Sequence, residues 1–208
     1  MMRDNPKRQP EDAPELMGDI RRALWAGEER EVTVPALVDL ARLSAEGSET
    51  WRFALRNLAS IAAETDPWGA SLLARRLLEL FPDDDAGWAA LGLAQSMLGN
   101  LRYSAHCYER ALAVGGPDLS CLHNLGHLYD VAFDRPAEAV KLLSQAFEAS
   151  RDVRSSRLRA EIVSSYAHAL ARAGEPKRAL EIVKKALPRG RTREHAALVA
   201  WIESQASR

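Results

Sequence analysis

Apolar residues along this chain recur at three- and four-residue steps, the period of an amphipathic helix. Leu16, Ile20 and Leu24, with Met17 and Trp25, form the first such stripe, which should end at Gly27. Residues 1–13, ahead of it, hold prolines and charges with almost nothing to bury and read as a flexible tail. Residues 31–34 alone have strand character, and four residues before Pro35 make a linker rather than a sheet. From Pro35 onward helical segments follow one another, separated by breaks of recognisable cause. Gly47 with Ser48, Asp66 with Pro67, and Pro82 with its three aspartates each stop one helix and cap the next. Later breaks fall at residues 99–100, 115–117, 134–136, 174–176 and 188–190. About eleven helices in antiparallel pairs are predicted, joined by loops of the length usual between helices. The fold class is all-α.

A fixed period overlies this pattern. Trp88-x-x-Leu91-Gly92 returns as Leu122-x-x-Leu125-Gly126-x-x-Tyr129, so that Gly92 and Gly126 are 34 residues apart. Spacing and residue types resemble the tetratricopeptide repeat (TPR), Trp-x2-Leu-Gly-x2-Tyr, then Ala-x3-Phe, then Ala and Pro. The best copy, residues 85–118, continues with Ser104, Tyr108, Ala111 and Pro117, and has Gln95 where the pattern has tyrosine. The next continues with Ala139, Leu143 and Ala146 and has one extra residue in its turn. Weaker copies run through Leu55, Ala59 and Ala74, and through Tyr166, Ala167 and Ala179. Four TPR-like repeats thus cover residues 51–190.

Gly92, Gly126, Ala59 and Ala167 fall where the two helices of a repeat should cross, and only a small residue lets the backbones close up there. The resemblance implies an α-solenoid, a superhelix of stacked pairs with a concave side. Residues 14–50 become an N-terminal helical extension, a degenerate fifth pair. Residues 191–208, with Ala196, Leu198, Val199, Trp201 and Ile202 on one side, become a C-terminal capping helix. From Gly126 to Ala167 the spacing is 41 residues, so residues 150–159 should lengthen a helix or form a loop, with Arg151, Arg154, Arg157 and Arg159 on it.

Composition narrows the function. With 47% hydrophobic and 27% charged residues, the chain is an ordinary globular protein, not a disordered or disulfide-stapled one. The net charge of -1 conceals asymmetry: residues 151–208 carry 13 Lys+Arg against 6 Asp+Glu, and residues 1–150 carry 15 against 23. The Arg-rich stretch from Arg151 to Arg193 lacks aromatics interleaved for base stacking, which argues against nucleic acid. Cys107 and Cys121 lie in helical patterns and read as buried thiols. The five tryptophans read as packing anchors. Neither a leader nor a membrane span is legible, so a cytoplasmic, soluble protein is expected.

Catalytic motifs are absent: no phosphate-binding loop, no dinucleotide fingerprint, no nucleophile elbow, no Cys-x-x-Cys. His123-Asn-Leu-Gly-His127 places two imidazoles on one helical face, but Asn124 stands where a zinc protease needs its glutamate. The resemblance puts the fifth, ninth and twelfth positions of each first helix on the concave surface. The expected groove is then Ala89, Leu93 and Met97, then His123, Asn124, His127 and Asp130, then Ser164, His168 and Arg172. It runs from apolar to polar and would suit a partner segment graded likewise. A carboxylate clamp of the kind that holds chaperone tails is not expected, because of five required positions only Asn124 agrees. The expected function is a non-catalytic adaptor or scaffold that holds a peptide or helix of another protein, without cofactor or metal. Alternatives are a secretion-type chaperone gripping an unfolded client, and a metal-binding protein using the groove histidines. The oligomeric state stays open.

Overall fold

The structure, a computed structural model, describes residues 9–152, 155–186 and 192–206. Among these residues eleven α-helices succeed one another and no strand occurs. They are α1 (Ala13–Ala26), α2 (Arg30–Leu43), α3 (Glu49–Ala62), α4 (Pro67–Leu80), α5 (Asp85–Met97), α6 (Leu101–Gly115), α7 (Leu119–His127), α8 (Pro136–Ala149), α9 (Ser156–Arg172), α10 (Pro176–Ala186) and α11 (Arg193–Ala206). The all-α class read from the pattern is observed.

The boundaries have local causes. Gly27 ends α1 at φ 74°, a left-handed turn that glycine adopts without a Cβ penalty. Ser48, Asp66, Asp84, Asp118 and Ser155 each accept a backbone N–H of the helix they open, from Trp51, Gly69, Gly87, Cys121 and Leu158. Such a cap contributes about 1 kcal/mol.

Several expectations need correction. Residues 31–34 are not a linker: α2 begins at Arg30 and runs through Pro35. Thr33, Leu37 and Leu40 are buried along one face of that helix. Burying this stripe outweighs both the β-branched residues and the N–H that proline lacks. Residues 9–13 are not part of a tail, because Gln9 and Asp12 bond reciprocally around a 3-10 turn and Ala13 is buried. Residues 1–8, and the break at residues 188–190, lie outside the described residues. Trp25 is 91% exposed and Trp68 67% exposed, so neither anchors packing, whereas Trp51 is buried.

The chain divides into two compact units, Met1–Gly115 and Gly116–Arg208. In the first, α1 to α6 form three consecutive pairs, and each first helix also touches the first helix of the following pair. In the second, α7 with α8 and α9 with α10 do the same, and α11 packs on α9 and α10 as the first helix of a further pair would. The first unit's core includes Leu37, Leu40, Ala59, Leu77 and Leu91, and the second's Leu143, Tyr166, Ala167, Leu170 and Ile202. Fully burying a leucine contributes about 1.5–3 kcal/mol.

Both crossing glycines are required by contact. A Cβ on Gly92 would stand 2.9 Å from ring atoms of Tyr108, and one on Gly126 would stand 2.7 Å from Leu143 Cγ. Ser104 closes the first crossing by donating its hydroxyl to the Gly92 carbonyl at 2.7 Å. Gln95, where the repeat pattern has tyrosine, is buried. It donates to Ser71 Oγ and accepts from Asn100 Nδ2, each at 2.8 Å.

The extra residue of the second pair has a definite place. Residues Leu128–Ala132 wind as a single π-helical turn at the end of α7. Its diagnostic bond runs from the Phe133 N–H to the Leu128 carbonyl. Such a turn absorbs one inserted residue and is frequent at functional sites. Of the wider irregularity near residue 150, the described residues show a 3-10 turn, Ser150–Asp152, and α9, a helix of 17 residues; Arg154 lies outside the described residues.

Candidate partner-binding site in the second unit

Alternate helices of the second unit, α7, α9 and α11, bring the polar residues together. His123 and His127 lie four apart on α7, so their rings share a face, with centroids 6.5 Å apart. His123 Nε2 lies 3.0 Å from Ser165 Oγ on α9. The π turn then buries Asp130 at 1% exposure. Its carboxylate lies 2.5 Å from His168 Nδ1 and can only accept, so the histidine proton sits there. Arg172 donates to the same carboxylate at 3.1 Å, and also to the Asp130 carbonyl and the Asp134 carboxylate. Asp134 holds a left-handed backbone, φ 55°, in the turn before α8. His168 in turn stacks on Trp201 of α11, centroids 4.7 Å apart and planes 16° from parallel.

These helices border a hollow of ≈ 1170 Å³, lined, among the described residues, by the second unit. Six expected groove residues line it: His123, Asn124, His127, Asp130, Ser164 and His168. Arg172 does not. It is engaged by Asp130 and Asp134, holding a wall rather than forming one. Ala89, Leu93 and Met97 belong to the first unit, where Leu93 packs against the cluster of Ala63, Ala70 and Ala94, and Met97 is 54% exposed.

The sequence reading missed Val131, Arg157, Arg159, His195 and Leu198 as lining residues. A signal for the last two existed. A single helix following the last pair occupies the place of a further first helix, so one flank of it must border the groove.

Burial holds the His123 imidazole below its ordinary pKa, helped by neighbouring His127 and opposed by Glu161. His127 keeps an accessible edge, yet loss of water around it lowers it too, opposed by Asp130 and assisted by His168. Both therefore favour the neutral form, in which a ring both donates and accepts. At the start of α9, Arg157 pairs with Glu161 at 2.9 Å, and Arg159 donates to the Arg151 carbonyl at 3.0 Å.

The arrangement offers hydrogen-bond donors and acceptors to a ligand. Among the described residues no group of three or more His, Cys, Asp or Glu side chains is placed to hold a metal ion. Burial pushes the Cys107 thiol up to about 12, which keeps it protonated and unreactive. Among the same residues, no helix is long and apolar enough to cross a membrane.

A family model of the tetratricopeptide repeat matches residues 131–202, from the π turn to α11. Over that segment, about a third of its length, the chain is similar to the tetratricopeptide repeat. Solved structures of the same fold include MamA, 16% identical over 86% of this chain and 91% of that one, with a TM-score of 0.61. The nearly identical TPR-like repeats of a kinesin light chain from Podosopora anserina are 18% identical over 87% and 95%, TM-score 0.61. PilF of Pseudomonas aeruginosa is 23% identical over 75% and 69%, TM-score 0.61. At these identities the likeness establishes the TPR fold alone. No curated protein matches the chain.

Proposed function

We propose that this chain is a non-catalytic scaffold whose TPR hollow in the second unit holds a segment of a partner protein. The observation that carries the reading is the hollow itself: ≈ 1170 Å³, bordered by three helices and faced by hydrogen-bonding rather than reactive side chains. TPR folds are interaction modules, and every helix pair here adds wall rather than chemistry. Asn124, Ser165 and the neutral imidazoles supply donors and acceptors without fixed charge, and Val131 and Leu198 supply apolar contact. Such a surface recognises a peptide by its backbone and a few side chains.

The test is binding, not turnover. His127→Glu places a negative charge in the hollow from a solvent-accessible position, and should weaken capture of the partner about tenfold or more while leaving the circular dichroism spectrum unchanged. A partner held equally well by His127→Glu and by Asn124→Ala must use another surface.

A further inference from the structure

Two polar atoms, on two of the helices that border the hollow, set it apart from a plain groove. Ser164 Oγ on α9 and His195 Nδ1 on α11 are buried and have no hydrogen-bond partner. Both residues line the cavity. An unmatched buried polar group costs about 1–3 kcal/mol, so a fold that keeps two of them beside one cavity stores affinity for whatever pairs them. A helical ligand satisfies its own backbone, whereas an extended one presents free N–H and C=O groups on both edges.

Charge adds a direction. The first turn of α9 holds no acidic residue, although acids are favoured there by the helix dipole, and Arg157 and Arg159 occupy that end. Glu161 already pairs with Arg157. Arg159 forms no ion pair among the described residues and lines the hollow. Glu194, at the start of α11, lines it too, so an acidic ligand group is favoured beside α9 rather than α11. From Arg157 to His168 the helix advances about 16 Å, which an extended strand spans in about five residues.

Resting on the partner-binding reading, we infer that α11 belongs to the recognition site and not only to the cap: the hollow takes an extended partner segment of about five residues, whose backbone pairs with Ser164 and His195 and whose acidic side chain meets Arg159. Both atoms are buried in the unliganded chain, so this pairing requires the Ser164 hydroxyl to rotate about χ1 and the His195 ring to flip. His168 stacked on Trp201 keeps α11 at the working separation.

The experiment pans a phage-displayed library of random heptapeptides against the full chain, then measures synthetic copies of the enriched peptides by fluorescence anisotropy. Enriched sequences should carry Asp or Glu, and Arg159→Glu should weaken them about tenfold or more, with recovery when the peptide's acid is exchanged for Lys. Ser164→Ala and His195→Phe should each weaken binding about tenfold, the size of one hydrogen bond. Ser164→Ala should leave Tm unchanged or raised, since it removes an unpaired buried hydroxyl, and a purely structural serine would not separate the two readouts. Replacing a central peptide residue by the helix-favouring α-aminoisobutyrate should abolish binding.

Peptides that lose affinity with His127→Glu but ignore Arg159→Glu, Ser164→Ala and His195→Phe, or gain affinity from the helix-favouring residue, overturn this inference and leave the partner-binding reading intact. A library that yields no peptide sensitive to His127→Glu overturns both.

Discussion

The helix pairs α5 with α6 and α7 with α8 begin from the same pattern and end with different jobs. Each closes around a glycine, Gly92 against Tyr108 and Gly126 against Leu143. The first pair satisfies its buried polar groups with neutral partners: Gln95 with Asn100 and with Ser71 of the preceding helix α4, and Ser104 with the Gly92 carbonyl. The second contains one more residue, wound into the π turn. Asp130, 34 residues after the half-buried Ser96, is there pulled out of solvent and bound by His168 and Arg172 of α9. One inserted residue thus converts an ordinary helix end into a charged hub that ties one repeat to the next. A π turn can do this because it rotates the residues after it relative to the α ladder without breaking the helix.

The largest expected effect tests what the two pairs share. Gly126→Val forces a branched side chain against fully buried Leu143 and should cost about 3 kcal/mol in chemical denaturation. Gly92→Val should cost about as much against Tyr108. Leu143→Ala placed in the Gly126→Val background should recover part of the loss, since it vacates the contested space. A mild response at either glycine would mean the crossing is looser than its contacts imply.

A smaller effect tests what separates them. Arg172→Met leaves the buried Asp130 with His168 alone and should cost about 2 kcal/mol, less than a fully buried pair because the Arg172 side chain is 27% exposed. If Arg172→Met unfolds with the parental midpoint, the π-turn hub holds nothing.

Acid should distinguish the units without mutation. His123 and His127 have folded pKa values below the ordinary 6.5, so the unfolded chain binds protons first as pH falls. Their contribution is complete above about pH 6.5 and is lost as pH drops from there through the folded values. In the first unit, burial alone would raise the carboxyl of Asp84, but the hydrogen bonds from Arg56 and Arg52 prevail and hold it below 3.8. Its contribution is present above that value and is lost only as pH falls further, through the folded value. Between pH 7.5 and 5, native-state hydrogen exchange should therefore speed up in α7 and α9 more than in α3 and α5. His123→Gln with His127→Gln should remove the difference.

The smallest effect concerns tryptophans. Trp25→Ala should change stability by less than about 0.5 kcal/mol, because the ring is 91% exposed. Trp51→Ala, at a buried ring, should show the contrast in the same melts.

Much of this architecture was legible in order along the chain. Caps at Ser48, Asp66 and Asp84, the stop at Gly27 and the recurrence of Gly92 at Gly126 are local or strictly periodic signals, and each appears where the pattern put it. The strand-like residues 31–34 misled because local preference there is overruled by burial of Thr33, Leu37 and Leu40 on one helical face. Exposed Trp25 misled for the opposite reason, since membership of an apolar stripe does not ensure that a neighbour covers its edge. Of the residues that line the hollow, the repeat register brought His123, His127, Asp130 and His168 to one face, but not those that α11 adds.

The amino-acid sequence by itself determined the helices, their pairing and the glycines at which they touch, because these depend on period, caps and residue size. Only the tertiary structure decided that the surplus residue becomes a π turn, that Asp130 is gripped by His168 and Arg172, and that His195 faces the same hollow as Ser164. Those outcomes join side chains 31 to 42 positions apart, and no local preference encodes which distant partner a buried polar group will meet.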